Sequence, residues 1–122
     1  MEFESLSKDL TNEEVISILL HAAVLKGEQP TIRSLSEKIK QARECGLPTG
    51  TIALRPVPEG YYSEHIAEYA AILIEGGIVE KKNPLIITDE GKKWLKEFVE
   101  EIKAQKKEKV DMLLRFLQVQ TT

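Results

Sequence analysis

The feature that most restricts the fold of this chain is a Gly-Gly pair followed by two short apolar runs. Gly76 and Gly77 come at the end of an apolar helical pattern, where glycine can reverse the chain without a steric penalty. The two apolar runs flank Asn83 and Pro84, a pair that is typical of a turn. Thr88 follows and precedes two acidic residues, as expected at a helix start. The segment therefore predicts a helix, a two-stranded hairpin and another helix in succession.

Two helices are predicted nearer the start of the chain. Thr11 and Glu14 match a capping box, in which each side chain bonds the backbone N–H of the other residue. Apolar residues recur behind them at helical spacing, so we expect a helix over roughly 12–26. A shorter helix with one apolar stripe should follow and end near Cys45.

The stretch 46–60 contains three Gly and three Pro, which indicates irregular chain. Within it, 51–54 is expected to form one short strand that ends at Pro56, since proline cannot donate to a strand ladder. Ser63 is then the expected N-cap of the next helix.

The predicted order is helix, helix, short strand, helix, two-stranded hairpin, helix. Tyr62–Glu80 followed by Ile87–Gly91 resembles the third helix, wing and exit of prokaryotic winged-helix regulators. The stretch is similar to the MarR and PadR groups and to uncharacterised archaeal and bacterial relatives. The resemblance runs through 11–95 and is close over 60–93. One departure is the link of about 20 residues between the second and third helices, against 3–4 in a tight helix-turn-helix.

The resemblance implies a mainly α fold with a small β wing, in the α+β class. We expect a winged helix-turn-helix domain over 11–91 and a C-terminal helical extension over 92–120, together forming a single compact unit. Whether one helix or two follows Thr88 stays open, because 104–109 is a polar interruption of the apolar pattern.

The stretch 110–119 is the most apolar of the chain, with seven apolar residues in ten. Such a helix is too hydrophobic to be wetted on one side, so it either folds back onto the core or packs against a partner. Terminal helices form the dimer interface in many winged-helix regulators, and twofold dimers are the commonest assemblies. We therefore expect a homodimer, with these interface residues: Val110, Leu113, Leu114, Phe116 and Leu117.

The resemblance implies that the third helix enters the major groove of DNA. Candidate DNA contacts lie at the start of that helix, on the wing and on the second helix: Tyr61, Tyr62, Ser63, His65, Lys81, Lys82, Arg33 and Lys38. The charges favour a different function, because the chain has no Lys or Arg between Arg55 and Lys81, whereas base readout relies on Arg, Lys, Asn or Gln.

Two hypotheses therefore stay open. The chain is a dimeric, DNA-binding transcriptional regulator, or it is a winged-helix interaction module whose acidic third helix meets a basic protein partner. The net charge of −3, from 17 basic and 20 acidic residues, weighs against strong non-specific DNA affinity.

The sequence contains no motif that indicates another function. The two histidines and Cys45 lack the spacing of a metal site, the glycines do not form a phosphate-binding pattern, and no nucleophile has a recognisable partner. We expect no metal, no cofactor, no catalytic residue and no enzymatic activity. A lone cysteine, an acidic start without a signal-peptide pattern and short apolar runs predict a cytoplasmic protein with no membrane association.

Overall fold

A computed structural model describes residues 9–118 of the chain. In this part the fold is α+β, with four helices and two antiparallel hairpins. The elements follow one another as α1 (Asn12–Leu25), α2 (Ile32–Glu44), β1 (Arg55–Val57), β2 (Gly60–Tyr62), α3 (Glu64–Glu75), β3 (Val79–Lys82), β4 (Leu85–Ile87) and α4 (Asp89–Phe116).

The helix starts follow the capping signals of the sequence. Thr11 and Glu14 form the predicted capping box, with the Glu14 N–H donating to Thr11 Oγ1 at 3.2 Å and the Thr11 N–H donating to Glu14 Oε1 at 2.9 Å. Ser63 and Thr88 are N-caps of α3 and α4, as predicted. Because each cap satisfies an N–H that the helix itself leaves unpaired, these residues fix where the helices begin.

Helix α1 lies at the centre of the fold. All six residues from Val15 to Leu20 are buried, so the helix is covered on every side rather than along one stripe. Ser17 belongs to this run and is fully buried, and its hydroxyl is 2.9 Å from the hydroxyl of Tyr69 on α3. That hydrogen bond satisfies a polar group inside an otherwise apolar core.

Helix α4 is broken at Lys106, whose backbone angles are φ −134° and ψ 44°. The part before the break runs antiparallel to α1. Glu100 lies close enough to His21 for its charge to act on the imidazole, and Lys106 Nζ reaches Glu14 Oε1 at 2.7 Å, near the start of α1. After Thr88 the chain therefore forms two helical segments joined at a break, which answers the question that the sequence left open.

The segment after Lys106 turns back and runs parallel to α1. Its far end lies beside the end of α1, where Lys26 Nζ donates to the Leu117 carbonyl oxygen at 3.1 Å. The segment therefore packs onto the core of its own chain. Of the five residues predicted as a dimer interface, Phe116 is half-buried. The other four are at most 5% exposed: Val110, Leu113, Leu114 and Leu117.

This burial corrects the argument for dimerisation. The predicted homodimer needs these apolar side chains to face a partner, and the structure accounts for their hydrophobicity within one chain. Of the two alternatives that the sequence left open, the structure shows folding back onto the core. A homodimer stays a prediction that needs another structural basis.

The hairpin of β3 and β4, called the wing below, is confirmed where the sequence places it. Its register pairs Val79 with Ile87 and Lys82 with Leu85, with an irregularity after Val79. Val79 and Leu85 are each 1% exposed. The Leu85 N–H also donates to the Pro30 carbonyl oxygen at 2.8 Å, which attaches the wing to the segment before α2.

The strand predicted at 51–54 is wrong. The structure instead forms the hairpin of β1 and β2 a few residues later, and Pro56 lies inside β1 rather than beyond a strand end. A proline fits there because both strands of a two-stranded hairpin are edges, with one side free of ladder bonds. Ile52, expected in the strand, is 1% exposed and anchors the preceding loop in the core.

Candidate nucleic-acid interface

The predicted contacts at the start of α3 are used inside the fold. Ser63 is fully buried, and its hydroxyl accepts the Ile66 N–H at 3.2 Å as the helix cap. His65 accepts the Ala53 N–H on Nδ1 at 3.2 Å. Ser63 is therefore not available to a DNA groove, which corrects that predicted contact, whereas His65 is half-buried and its predicted DNA contact stays a prediction.

The long link between α2 and α3 supplies contacts at the start of α3. Arg55 Nη2 lies 2.9 Å from Glu64 Oε1 at the first residue of α3, and the same guanidinium lies 5.2 Å from the ring centre of Tyr62. Tyr61 is half-buried on α2, with Lys40 Nζ 4.9 Å from its ring centre. The link therefore contacts both helices and covers the first turn of α3.

Three other predicted residues do come together. Arg33 from the start of α2, Tyr62 from the end of β2 and Lys82 from the end of β3 line one depression of about 560 Å³. We call this depression the wing groove and define it by the residues that line it: Thr31, Ile32, Arg33, Tyr62, Lys82 and Asn83.

A second depression of about 340 Å³ adjoins the wing groove, because Arg33 and Tyr62 line both. It brings in Arg55 and Glu59. The cationic side chains Arg33, Arg55 and Lys82 therefore lie along the surface formed by these two adjoining depressions, although they come from three different elements.

The carboxylates near this surface hold its arginines only weakly. Arg33 Nη2 lies 3.1 Å from Glu59 Oε1, with 47% and 79% of the two side chains exposed, and the Arg55–Glu64 side chains are each 59% exposed. Ion pairs at such exposure contribute little net stability, since water and salt screen them. An incoming anion can therefore replace these carboxylates as the partner of the guanidinium groups at small cost.

The surface has the chemistry of a phosphate-binding site. Arginine presents a planar fork that matches two phosphate oxygens, and lysine adds a point charge. Thr31 is the N-cap of α2, so the positive end of that helix dipole lies at the groove. Tyr62 adds an aromatic face at the same place.

The remaining predicted lysines differ in position. Lys81 is exposed on β3 next to Lys82 in the sequence, and it is not among the residues that line the wing groove. Lys38 is half-buried and lines a separate depression of about 300 Å³ with Leu35 and Leu117. The structure therefore places Lys38 away from the groove.

Sequence reasoning missed two residues of this surface, Arg55 and Asn83. Arg55 stands in a stretch that the glycines and prolines marked as irregular, and Asn83 was interpreted only as a turn residue. A basic residue directly before two closely spaced prolines and close to a tyrosine pair is the available signal for Arg55.

The exposed face of α3 has the opposite charge. Its exposed side chains are those of Glu64, Glu68, Ala71, Ile72 and Glu75, and Ile72 is 62% exposed. Carboxylates on this face would repel phosphates, and the helix contributes no basic side chain to offset them.

Across residues 9–118, no group of three or more His, Cys, Asp or Glu side chains is placed to hold a metal ion. No helix in the same range combines the length and the apolar character that crossing a bilayer requires. Comparison of the chain with known protein families, curated proteins and solved structures finds no match.

Proposed function

We propose that this chain is a winged-helix DNA-binding domain that holds the phosphate backbone of duplex DNA in the wing groove, and that it acts as a transcriptional regulator in the cytoplasm. The order of helices and hairpins and the attachment of the wing to the segment before α2 support the winged-helix assignment. The observation that carries the DNA-binding role is the meeting of Arg33, Tyr62 and Lys82, which are remote in sequence, in one groove.

In this proposal α3 does not read bases. Phosphate contacts position a protein on DNA, whereas base contacts specify sequence, and α3 is acidic along its exposed face. Sequence preference would then come from the shape and deformability of the duplex. Arg33, Arg55, Lys81 and Lys82 are the groups available to neutralise phosphates.

The number of phosphate contacts and the net charge of the chain predict how the DNA affinity depends on salt concentration. Each phosphate contact changes the slope of log K against log salt by about −0.9, so four contacts give a slope of about −3.6. Because the net charge of the chain is −3, long-range electrostatic attraction to DNA adds little to these phosphate contacts. Binding should therefore be measurable at low salt and fall steeply as salt rises.

The test is a fluorescence-anisotropy titration of a labelled mixed-sequence duplex at several salt concentrations. Arg33→Glu and Lys82→Glu should each lower affinity about tenfold or more at low salt and make the salt slope shallower. Lys96→Glu is the matched control, because it makes the same change of charge at an exposed position of α4 beside His21. Absence of binding by the unmodified chain at low salt, or an equal loss in the control, rejects the proposal.

The exposed Ile72 supports a second candidate function, a protein-interaction module. An isoleucine that is 62% exposed between Glu68 and Glu75 suits a basic segment with an apolar anchor. We would add a basic amphipathic helical peptide to isotope-labelled protein and follow the NMR signals of α3. Shifts centred on Ile72 that disappear in Glu68→Lys support this function, and unchanged α3 signals contradict it. An acidic peptide of the same length is the control.

A further inference from the structure

The break in α4 falls in a stretch whose sequence favours an unbroken helix. Residues 104–109 are Ala, Gln, Lys, Lys, Glu and Lys, all of them good helix formers. Sharp bends in helices come from proline, from Gly and Ser pairs or from groups inserted into the ladder, and this stretch contains neither proline nor glycine. Contacts from other parts of the molecule must therefore hold the break at Lys106.

Those contacts are visible around Lys106. Its Nζ donates to Glu14 Oε1 at 2.7 Å and to the Asp9 carbonyl oxygen at 2.9 Å. The side chains of Lys106 and Glu14 are only 9% and 17% exposed, so the pair is mostly shielded from water. Lys109 forms an ion pair with the Asp9 carboxylate on the far side of the break. A continuous helix would carry Lys109 away from Asp9 and so separate this pair.

The segment that follows the break, residues 107–117, depends on α1 for its burial. Val110 and Leu113 are 0% exposed, and Leu117 is 5% exposed and lines a depression with Leu19 of α1. If α4 straightened in an isolated chain, these side chains and the face of α1 would be left in water, which is unfavourable in proportion to the apolar area exposed. A second copy of the chain, straightened in the same way, offers the same complementary surface.

We propose that two copies of this chain exchange residues 107–117, with α4 continuous through Lys106 and each segment packed on α1 of the other copy. The exchange keeps the buried contacts of the segment and restores helical hydrogen bonds at two hinges. The interface is twofold symmetric, since each copy gives the element that it receives. The proposal is independent of the wing groove, and it provides the predicted homodimer with a structural basis.

Two substitutions at the hinge separate helix propensity from the ion pair. Lys106→Ala and Lys106→Gly both remove the Nζ contacts, but alanine favours the continuous helix and glycine disfavours it. With two hinges in a dimer, we expect the association constant of Lys106→Ala to exceed that of Lys106→Gly by about thirtyfold. Size-exclusion chromatography with light scattering over a range of concentrations measures both. Equal constants, or a monomeric Lys106→Ala variant at every concentration, overturn the proposal.

Glu14→Gln tests the same equilibrium without changing α4. Glutamine can complete a capping box as glutamate does, so α1 keeps its start while Lys106 loses its counter-charge. Because this pair helps to hold the break in the monomer, the variant should have a higher association constant than the unmodified chain. A lower or unchanged constant, with circular dichroism showing a folded protein, contradicts the proposal.

A cross-linking experiment identifies exchange itself. Chains labelled with ¹⁴N and ¹⁵N are mixed, unfolded and refolded together, and Lys106→Ala dimers are isolated and treated with a carbodiimide, which joins a paired amine and carboxylate. After exchange, Asp9 of one copy lies against Lys109 of the other, so some cross-linked Asp9–Lys109 peptides carry one label of each kind. Dimers whose Asp9–Lys109 peptides are never mixed have formed without exchange and overturn the proposal.

Discussion

The two hairpins of this molecule have similar length and different attachments. The wing places Val79 and Leu85 in the core, each 1% exposed, and bonds its backbone to Pro30. In β1 and β2 every residue of the described strands is half-buried or exposed. That hairpin is held by the half-buried Tyr62, which packs against the core, and by the polar contacts of Arg55 with Glu64 and of Lys40 with the ring of Tyr61.

The two hairpins show which kind of hairpin can be predicted from a sequence. Apolar anchors beside a turn pair are local signals, and they are also strong anchors because burial of a large side chain is worth about 1.5–3 kcal/mol. Exposed ion pairs are worth about 0–1 kcal/mol each and depend on residues distant in sequence. The wing should therefore open only with the whole fold, and the hairpin of β1 and β2 should open locally first.

The largest expected effect comes from removing one anchor in each hairpin. Leu85→Ala should lower the free energy of unfolding by about 3 kcal/mol, because a fully buried leucine leaves a cavity. Val57→Ala, at a half-buried position of β1, should cost less than about 1 kcal/mol. Urea denaturation followed by circular dichroism measures both. Similar losses in the two variants would show that the hairpins are equally attached.

A smaller effect is expected where the wing meets α4. A Cβ added at Gly91 would lie 2.0 Å from the Ile78 carbonyl oxygen, a backbone atom. Gly91→Ala should therefore cost about 2 kcal/mol, from overpacking of about 3 kcal/mol less about 1 kcal/mol of gained helix propensity.

Gly76→Ala is the control for this substitution in the same thermal or urea melts. Gly76 has a negative φ, and a Cβ there meets its nearest atom at an ordinary 3.6 Å. Its stability should change by only a few tenths of a kcal/mol. If both alanine variants are equally stable, the close approach at Gly91 does not restrain the wing.

The smallest effect is expected from the polar attachment of β1. Arg55→Ala should lower global stability by about 0.5 kcal/mol, since its ion pair with Glu64 is exposed. Hydrogen exchange should accelerate at Tyr62 and stay unchanged at Leu85. Adding salt to the unmodified chain should reproduce part of this acceleration, because salt screens the pair. Faster exchange in the wing would contradict the comparison.

The same distinction explains how far the sequence could predict the rest of the fold. The capping box of Thr11 and Glu14 and the cap of Thr88 were visible because their partners lie within three residues. The sequence left open whether α4 is one helix or two, since the contacts that break it come from residues 9 and 14.

The candidate site shows the same limit. Sequence reasoning named Arg33, Tyr62 and Lys82 from their residue types and from the resemblance, and the structure brings them together. It also named Ser63 and His65, which the structure uses for a cap and for a bond to Ala53. Whether a polar side chain is free or already bonded depends on the packing of the inserted hairpin, and no local pattern encodes that packing.

The central position of α1 has a consequence for how the chain is made. Glu14 and Lys26, near its two ends, bond to partners 92 and 91 positions later. During synthesis, α1 therefore leaves the ribosome long before the residues of α4 that cover it. During that interval the apolar side chains of α1 stay exposed, and native folding waits for the final residues of α4.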